Sequence, residues 1–162
     1  MCYNTFKEIG GNWMIYFLII SIIAVIVDQF VKWWTVSNFD VYQGTQGVPG
    51  IFNIFYVQNR GAAWGMLENQ HLLFYAITII AVGVLVYLLW KERHSSKWVQ
   101  LAYALMLAGA VGNFIDRLRL GYVVDMIRLE FIDFPIFNIA DSYLTVGVGL
   151  LFLMILVKGE SK

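Results

Sequence analysis

The sequence predicts a mainly α-helical membrane protein with four transmembrane helices, a small extracytoplasmic β-sheet and a short interfacial helix. Of its 162 residues, 60% are apolar and only 14% are charged, whereas about a quarter of the residues in soluble domains are charged. Four apolar stretches each approach the roughly 20 residues that a helix needs to cross the hydrocarbon core. They are residues 13–34, 72–90, 98–115 and 139–157.

The first stretch is predicted to be a retained span and not a cleaved signal peptide. Its apolar core has the length of a signal peptide core, but Asp28, Gln29 and Lys32 follow it where cleavage requires small residues. We expect residues 1–13 to be an N-terminal extension, residues 14–158 to form a single four-helix transmembrane domain, and residues 159–162 to be a cytoplasmic tail.

The charge of one short loop predicts the orientation of the chain. Four spans place both termini on the same side of the membrane. The loop between the second and third spans carries Lys91, Arg93 and Lys97, and short basic loops stay in the cytoplasm. The total count of Lys and Arg is less decisive, since six of the eleven fall inside and five outside. Both termini are therefore predicted to be cytoplasmic.

The outer connection after the first span is longer than a simple loop. QGTQGVPG (43–50) is typical of a turn cluster, and the aromatic, β-branched segment GIFNIFYVQ (50–58) that follows predicts a strand. Its partner is either the segment around Tyr42 or the segment VVDMIRL (123–129). The segment AAWGMLEN (62–69), with Trp64 and Met66, predicts the interfacial helix. Sheet and helix would cover the outer end of the bundle.

Four aspartates gather at this outer end. Asp28 follows the core of the first span, Asp116 ends the third, Asp125 lies just after it, and Asp141 begins the fourth. In this layout eight of the eleven acidic residues fall outside. Because carboxylates are costly at membrane depth, such residues are candidates for function. The pattern predicts one aspartate-rich site near one membrane face.

Two of these aspartates have basic neighbours. Asp28 and Lys32 have the spacing of a helical ion pair, and a mutually neutralising pair explains both without any function. Asn113, Asp116 and Arg117 share a helix face. Arg117 can fork onto a carboxylate, so Asp116 could simply anchor it, and an anchored arginine could still contact substrate.

The other two aspartates have no basic neighbour in sequence. Asp125 lies in the apolar run VVDMI, and Asp141 begins an apolar span on the same helix face as Asn138. Two half-buried carboxyl groups close together tend to share one proton, and such a pair can act as general base and general acid on a bound water. The alternative is that each is solvated or bonded to loop backbone.

The sequence gives little support for nucleophilic catalysis, a metal site or the binding of phosphates or nucleic acid. The single cysteine, Cys2, has no local partner for nucleophilic work, and His71 and His94 lie too far apart in sequence to suggest a metal site. Ser21, Ser142 and Thr145 have no neighbouring His or Lys in a recognisable arrangement. No phosphate-binding loop is present, and the zero net charge gives no sign of nucleic acid binding. We expect neither a metal nor a cofactor.

Five sequence blocks resemble those of bacterial lipoprotein signal peptidase, also called signal peptidase II. No block alone is specific, but all five occur in order. They are DQFVK (28–32), NRGAAWG (59–65), GAVGNFIDR (109–117), VVDMI (123–127) and FNIADS (137–142).

The resemblance implies an intramembrane aspartyl protease that cuts prolipoproteins just before a lipid-modified cysteine. By motif, Asp125 and Asp141 would be the catalytic pair. The same blocks imply a set of residues that hold substrate or support the site: Asn59, Gly61, Asn113, Arg117, Asn138 and Ala140, with Asp28, Lys32 and Asp116 fixing its shape. The expected location is the bacterial cytoplasmic membrane, with the site near the extracytoplasmic face, lipidated prolipoproteins and membrane lipids as partners, and a functional monomer.

Two rival classes remain open at this point. A proton- or cation-coupled transporter would also use membrane carboxylates, but such relays usually run through the middle of spans, and the second span has no acidic residue. A structural or assembly protein would use the motifs for packing and capping alone.

Overall fold

The structure, a computed structural model, describes residues 13–61 and 70–159 of the chain. It contains a helical bundle and a three-stranded sheet, whose first and third strands each follow a helix in the chain. In chain order the elements are α1 (Met14–Asn38), β1 (Gly44–Val48), β2 (Phe52–Asn59), α2 (His71–Lys91), α3 (Lys97–Leu120), β3 (Val123–Leu129) and α4 (Ile139–Gly159). The predicted interfacial helix at 62–69 lies outside the described residues.

The four predicted spans are confirmed as helices long and apolar enough to cross a membrane. Two of them continue past the predicted ends: α1 reaches Asn38 and α3 reaches Leu120. Asp28 therefore lies within α1, about 15 Å of helix before its last residue at 1.5 Å per residue. Hydropathy alone did not reveal the extensions because polar residues lower it there: Thr35, Ser37 and Asn38 after the first predicted span, and Asp116, Arg117 and Arg119 after the third.

α1 has the polarity of a membrane helix, with its polar groups facing the protein. Its outward face exposes large apolar side chains, Ile22, Ile26, Phe30 and Trp33 among them, each about 60% exposed. The buried residues fall three or four apart along one stripe: Phe17, Ser21, Ala24, Asp28, Lys32 and Thr35. An apolar surface of this extent suits a lipid environment, and the polar stripe faces the other helices.

α3 is the central helix of the bundle. Half of its membrane-length window is buried, against 11% for both α2 and α4, and α1, α2 and α4 all pack against it. Small residues allow this close approach. A Cβ atom added at Gly112 would lie 2.6 Å from Asp28 Oδ2, and one added at Gly109 would overlap the carbonyl oxygen of Ala140. These glycines let α1 and α4 bring polar groups against α3.

The sheet has the order β1-β2-β3, with both pairs antiparallel. The predicted strand at 50–58 is confirmed as β2. Both predicted partners contact it: the segment 123–129 forms β3, and the segment around Tyr42 exchanges backbone hydrogen bonds with Tyr56. The prediction that 43–50 is a turn cluster was wrong for Gly44–Val48, which form β1, but residues 49 and 50 do lie in a turn. A Cβ at Gly44 would overlap the carbonyl oxygen of Ile54, so this glycine permits pairing with β2 in a segment whose composition suggests a turn.

Gly121 directs the chain from α3 into β3. It has φ of 77° and ends α3 as a left-handed cap, with its amide donating to the Arg117 carbonyl. Glycine adopts this conformation without the steric penalty of a side chain. β3 then runs back against β2, with Asp125 paired to Val57, and β3 packs against α1 and α3.

Two glycines of α4 give a matched test of the packing on α3. A Cβ at Gly147 would lie 2.6 Å from Met106 Cγ and 2.8 Å from the Ala102 carbonyl oxygen, whereas nothing lies within 4 Å of one at Gly149. Gly147→Ala is expected to lower stability by about 1–3 kcal/mol through overpacking. Gly149→Ala should not destabilise the protein, since alanine favours helix. Thermal unfolding in detergent measures both, and equal melting temperatures would contradict the packing.

Candidate active site

A buried lysine lies at the centre of the polar cluster. Lys32 is 2% exposed, and its Nζ lies 3.0 Å from Asp28 Oδ2, 3.1 Å from Asp116 Oδ2 and 3.0 Å from Asn113 Oδ1. These three acceptors match the three N–H donors of an ammonium group. The predicted Asp28–Lys32 pair is confirmed, and it extends to α3, which the sequence spacing did not reveal.

The two carboxylates on Lys32 also hold backbone from other elements. Asp28 Oδ1 accepts from the amide of Ala140 at 2.9 Å, and Asp116 Oδ2 accepts from the amide of Val124 at 3.0 Å. Asp28 thereby fixes the start of α4, and Asp116 fixes the start of β3. Each of these elements carries one of the two remaining aspartates.

Gln29 is a residue of this cluster that the sequence analysis did not single out. Its Nε2 lies 3.2 Å from Asp28 Oδ2, 3.0 Å from Asp116 Oδ1 and 3.1 Å from the Gly112 carbonyl oxygen. The amide therefore bridges α1 and α3 beside Lys32. Its position next to Asp28 in DQFVK was the available signal, but a glutamine in a helix is most often a surface residue.

The suggested pairing of Asp116 with Arg117 was wrong. Within the described ranges, Asp116 forms its ion pair with Lys32, because adjacent residues on a helix point in different directions. Arg117 instead donates from Nη2 to the carbonyl oxygen of Gly61 at 3.2 Å, and its guanidinium lies 4.6 Å from the centre of the Phe74 ring. Arg117 thus joins α3 to Gly61, which lies just after β2, and to α2.

Asn138 joins the two aspartates that have no basic neighbour. Its Nδ2 donates to Asp125 Oδ1 at 2.6 Å. Its own amide donates to Asp141 Oδ2 at 3.2 Å, and its Oδ1 accepts from the amide of Asp141 at 3.0 Å. This reciprocal pattern is that of a capping box at the start of α4, with Asn and Asp in the usual positions of Ser or Thr and Glu. One asparagine therefore fixes both carboxylates.

Two further asparagines complete the arrangement. Asn59, at the end of β2, donates to Asp125 Oδ2 at 2.9 Å, and its own Oδ1 accepts from the amide of Gly61 at 3.0 Å. Asn113 donates to Asp141 Oδ1 at 2.7 Å while its Oδ1 accepts from Lys32 and Asn138. Asn113 thus links the Lys32 cluster to the Asp125–Asp141 pair.

The environment of Asp125 favours its protonated form. The residue is 2% exposed. Burial, and then the nearby charge of Asp141, raise the pKa of the Asp125 carboxyl to about 7, against the opposing hydrogen bonds from Asn59 and Asn138. Desolvation and a like charge are the two effects expected to keep one proton on a carboxylate pair near neutral pH.

The pair opens onto a cavity of about 620 Å³. Asp125, Asp141, Asn59, Asn113 and Arg117 line its polar side. The opposite wall is apolar and belongs to the loop between β3 and α4 and to the first turns of α4; its residues include Phe131, Ile132, Phe134, Pro135, Ile136, Phe137 and Val146. A cavity with a few convergent polar groups and an apolar wall is suited to an amphipathic ligand.

All eleven residues predicted from the sequence lie in this one connected cluster. Asp125 and Asp141 face the cavity, Asn59, Asn113, Asn138 and Arg117 surround them, and Asp28, Lys32 and Asp116 lie behind. Gly61 and Ala140 contribute backbone groups only. Within the described part of the chain there is no group of three or more His, Cys, Asp or Glu side chains that could hold a metal.

Comparison with known proteins gives a consistent result. The family model described as signal peptidase (SPase) II matches residues 20–157. A lipoprotein signal peptidase of Latilactobacillus sakei is 50% identical over 145 residues, which cover 90% of this chain and 96% of the relative. A lipoprotein signal peptidase of Streptococcus thermophilus is 49% identical over 143 residues, covering 88% and 93%.

Solved structures agree in fold. A structure described as a bacterial membrane enzyme, obtained by the in meso method, superposes with a TM-score of 0.87 at 40% identity and covers 91% of both chains. A second structure with the same description has a TM-score of 0.81 at 40% identity, covering 87% of this chain and 92% of the other.

The Lys32 cluster predicts an unequal effect of two lysine substitutions. Lys32→Met leaves the buried carboxylates of Asp28 and Asp116 without their cation, which should cost about 3–5 kcal/mol of stability. Lys97→Met, at an exposed site, is the control and should change stability by less than about 1 kcal/mol. Far-UV circular dichroism during heating measures both.

A rescue variant separates charge from packing. Adding Asp28→Asn and Asp116→Asn to Lys32→Met removes the unpaired charges and should recover part of the lost stability. A triple variant that melts below the single variant would show that the two carboxylates are not held by Lys32.

Proposed function

The chain belongs to the signal peptidase II family, and we propose that it is a membrane-embedded aspartic endopeptidase that removes the signal peptide from lipid-modified prolipoproteins. The cut would fall just before the diacylglyceryl-cysteine. Family membership supports a protease of lipoprotein precursors. The observation that carries the aspartic mechanism is the placement of Asp125 and Asp141 on one asparagine, Asn138, at the mouth of one cavity.

The pair would act on a water molecule held between the carboxyl groups. One carboxylate takes a proton from the water as it attacks the scissile carbonyl carbon, and the other, protonated, gives its proton to the leaving amine. This requires exactly one shared proton at the working pH, which the raised pKa of Asp125 supports. Because the two groups interact, the proton belongs to the pair and not to either residue.

The surrounding polar groups would orient the substrate. Asn113 and Arg117 line the cavity beside Asp141, and their donors suit the peptide carbonyl oxygens next to the scissile bond. Asn59 and Asn138 each bond Asp125 and would hold its carboxyl in one orientation. Asp28, Lys32 and Asp116 would support the site without touching the substrate.

The apolar part of the site suits the lipid of the substrate. The diacylglyceryl chains would lie in the bilayer against the outward faces of the helices, while the peptide reaches the pair through the cavity. The apolar wall of Phe131, Ile132 and Phe134 offers a surface on which acyl and signal-peptide side chains can pack. Membrane lipids occupy the same environment when substrate is absent.

The orientation follows from the short basic loop between α2 and α3. We infer that both termini are cytoplasmic and that the site lies near the extracytoplasmic face of a bacterial cytoplasmic membrane. All polar groups of the cluster come from one chain, which supports a functional monomer.

Removing either carboxyl group should abolish cleavage. Asp125→Asn or Asp141→Asn keeps the size of the side chain but cannot provide both the base and the acid, so turnover of a diacylglyceryl-modified precursor should fall by at least about 10³-fold. Asp40→Asn, at an exposed acid outside the cluster, is the matched control and should retain activity. A gel-shift assay in detergent measures all three, and turnover by a folded Asp125→Asn or Asp141→Asn variant would overturn the assignment.

The raised pKa of Asp125 predicts an alkaline loss of activity. Below an apparent pKa of about 7 the pair holds one proton, and above it both carboxylates ionise and the leaving amine loses its acid. kcat/KM should therefore fall as the pH rises through about 7, and activity should return when the pH is lowered. The same shift has a separate effect on folding: Asp125 contributes stability at low pH that is lost as the pH rises through about 7. A flat profile between about pH 6 and about pH 9 would contradict a proton-sharing pair.

A further inference from the structure

The loop between β3 and α4 separates two cavities. Its inner side forms the apolar wall of the cavity that contains Asp125 and Asp141, and its outer side lines a second groove of about 840 Å³. The residues common to both are Leu129, Phe131, Ile132, Phe134, Pro135 and Ile136. A chain that leaves the first cavity over this loop therefore enters the groove directly.

The groove differs from the first cavity in its polar groups. Arg128, Glu130, Asp133 and Asn53 line it in addition to the loop. Glu130 is fixed by the amide of Gly50 at 2.6 Å and by Asn53 Nδ2 at 3.2 Å. Asp133 is exposed. Among the described residues that line the groove, two acidic groups, Glu130 and Asp133, outnumber one basic group, Arg128.

Asn53, which lines this groove, carries a buried hydrogen-bond acceptor. Its Nδ2 is held by Glu130, but its Oδ1 is buried and has no hydrogen-bond partner among the described residues. A buried polar oxygen without a partner is unfavourable unless a ligand or water supplies a donor. The backbone N–H of an extended peptide is such a donor.

We propose that this groove binds the polypeptide that follows the lipid-modified cysteine of the substrate. The inference rests on the proposed function, because it concerns the product side of the same cleavage. The segment that follows the cysteine is the part of the substrate that must end in water, and the groove is the polar surface next to the apolar cavity. The excess of acidic groups in the groove favours basic residues in that segment.

The width of the loop sets which substrate residues reach the groove. An extended chain advances about 3.3 Å per residue, so a few residues separate the scissile bond from the part of the chain that reaches the groove. The groove should therefore distinguish residues from about the third position after the scissile bond, while the residues nearest the cut remain in the first cavity.

The test compares three lipidated precursors that differ only at the third and fourth residues after the cysteine, which are both Lys, both Ser or both Asp. With the full-length protein, KM should rise in that order, by about threefold between Lys and Asp for partly exposed charges. Asp133→Lys should reverse the order. Asp40→Lys, at an exposed acid outside the groove, is the matched control and should preserve it.

The outcomes separate this inference from the proposed function. If wild-type protein cleaves none of the precursors, the proposed function fails and the groove has no substrate. If it cleaves them all and Asp133→Lys leaves the order unchanged, or Asp40→Lys reverses it equally, the groove inference falls while the peptidase function stands.

A second variant tests the acceptor on Asn53. Asn53→Ala should raise KM for the full-length precursors but not for a shortened precursor that ends directly after the cysteine, which never enters the groove. An equal rise for both substrates would show that Asn53 only supports the sheet, and would overturn its assignment to substrate binding.

Discussion

The buried ammonium group of Lys32 is the interaction on which the rest of the structure depends. It contacts acceptors on α1 and α3 at 3.0–3.1 Å, in a part of the protein from which water is largely excluded. Two carboxylates and an asparagine oxygen are stable there because one cation serves them all. The second oxygen of Asp28 then fixes the start of α4, and Asp116 fixes the start of β3, so this ion cluster positions the two elements that carry Asp141 and Asp125.

The same geometry requires small residues at the helix contacts. Gly112 leaves room for Asp28 against α3, and Gly109 leaves room for the Ala140 carbonyl. Larger residues at these positions would push α1 and α4 outward and lengthen the contacts from Lys32 to Asp116 and from Asp28 to the Ala140 amide. Packing and electrostatics therefore depend on each other. The glycines set the distance between the helices, and that distance determines whether the buried charges are paired.

Sequence reasoning predicted the spans, β2 and the membership of the polar cluster, because each depends on local pattern. Apolar length marks a span, and short motifs mark the outer ends of the helices. It did not predict the contacts that join elements. Asp116 was assigned to its neighbour Arg117 but pairs with Lys32 of α1, Gln29 was not singled out although it bridges two aspartates, and β1 was read as a turn. The Asp116 and Gln29 contacts involve partners on another helix, which spacing along one segment cannot reveal. β1 pairs with the next strand, β2, and was missed because its glycine-rich composition is typical of a turn.

The balance of charge explains why the Asp125–Asp141 pair differs from the Asp28–Asp116 pair. Both pairs consist of two carboxylates, but Lys32 lies directly between Asp28 and Asp116 and forms an ion pair with each of them. Asp125 and Asp141 are held by three asparagines, which supply hydrogen bonds but no charge. Arg117 contacts the Gly61 carbonyl and the Phe74 ring and interacts with Asp141 and Asp125 through space. A second negative charge on this pair would lack a direct counterion, and a shared proton is the way in which such a pair lowers its energy. The asparagines thus fix the geometry of the pair while leaving it free to gain and lose a proton, which a lysine in the same position would prevent.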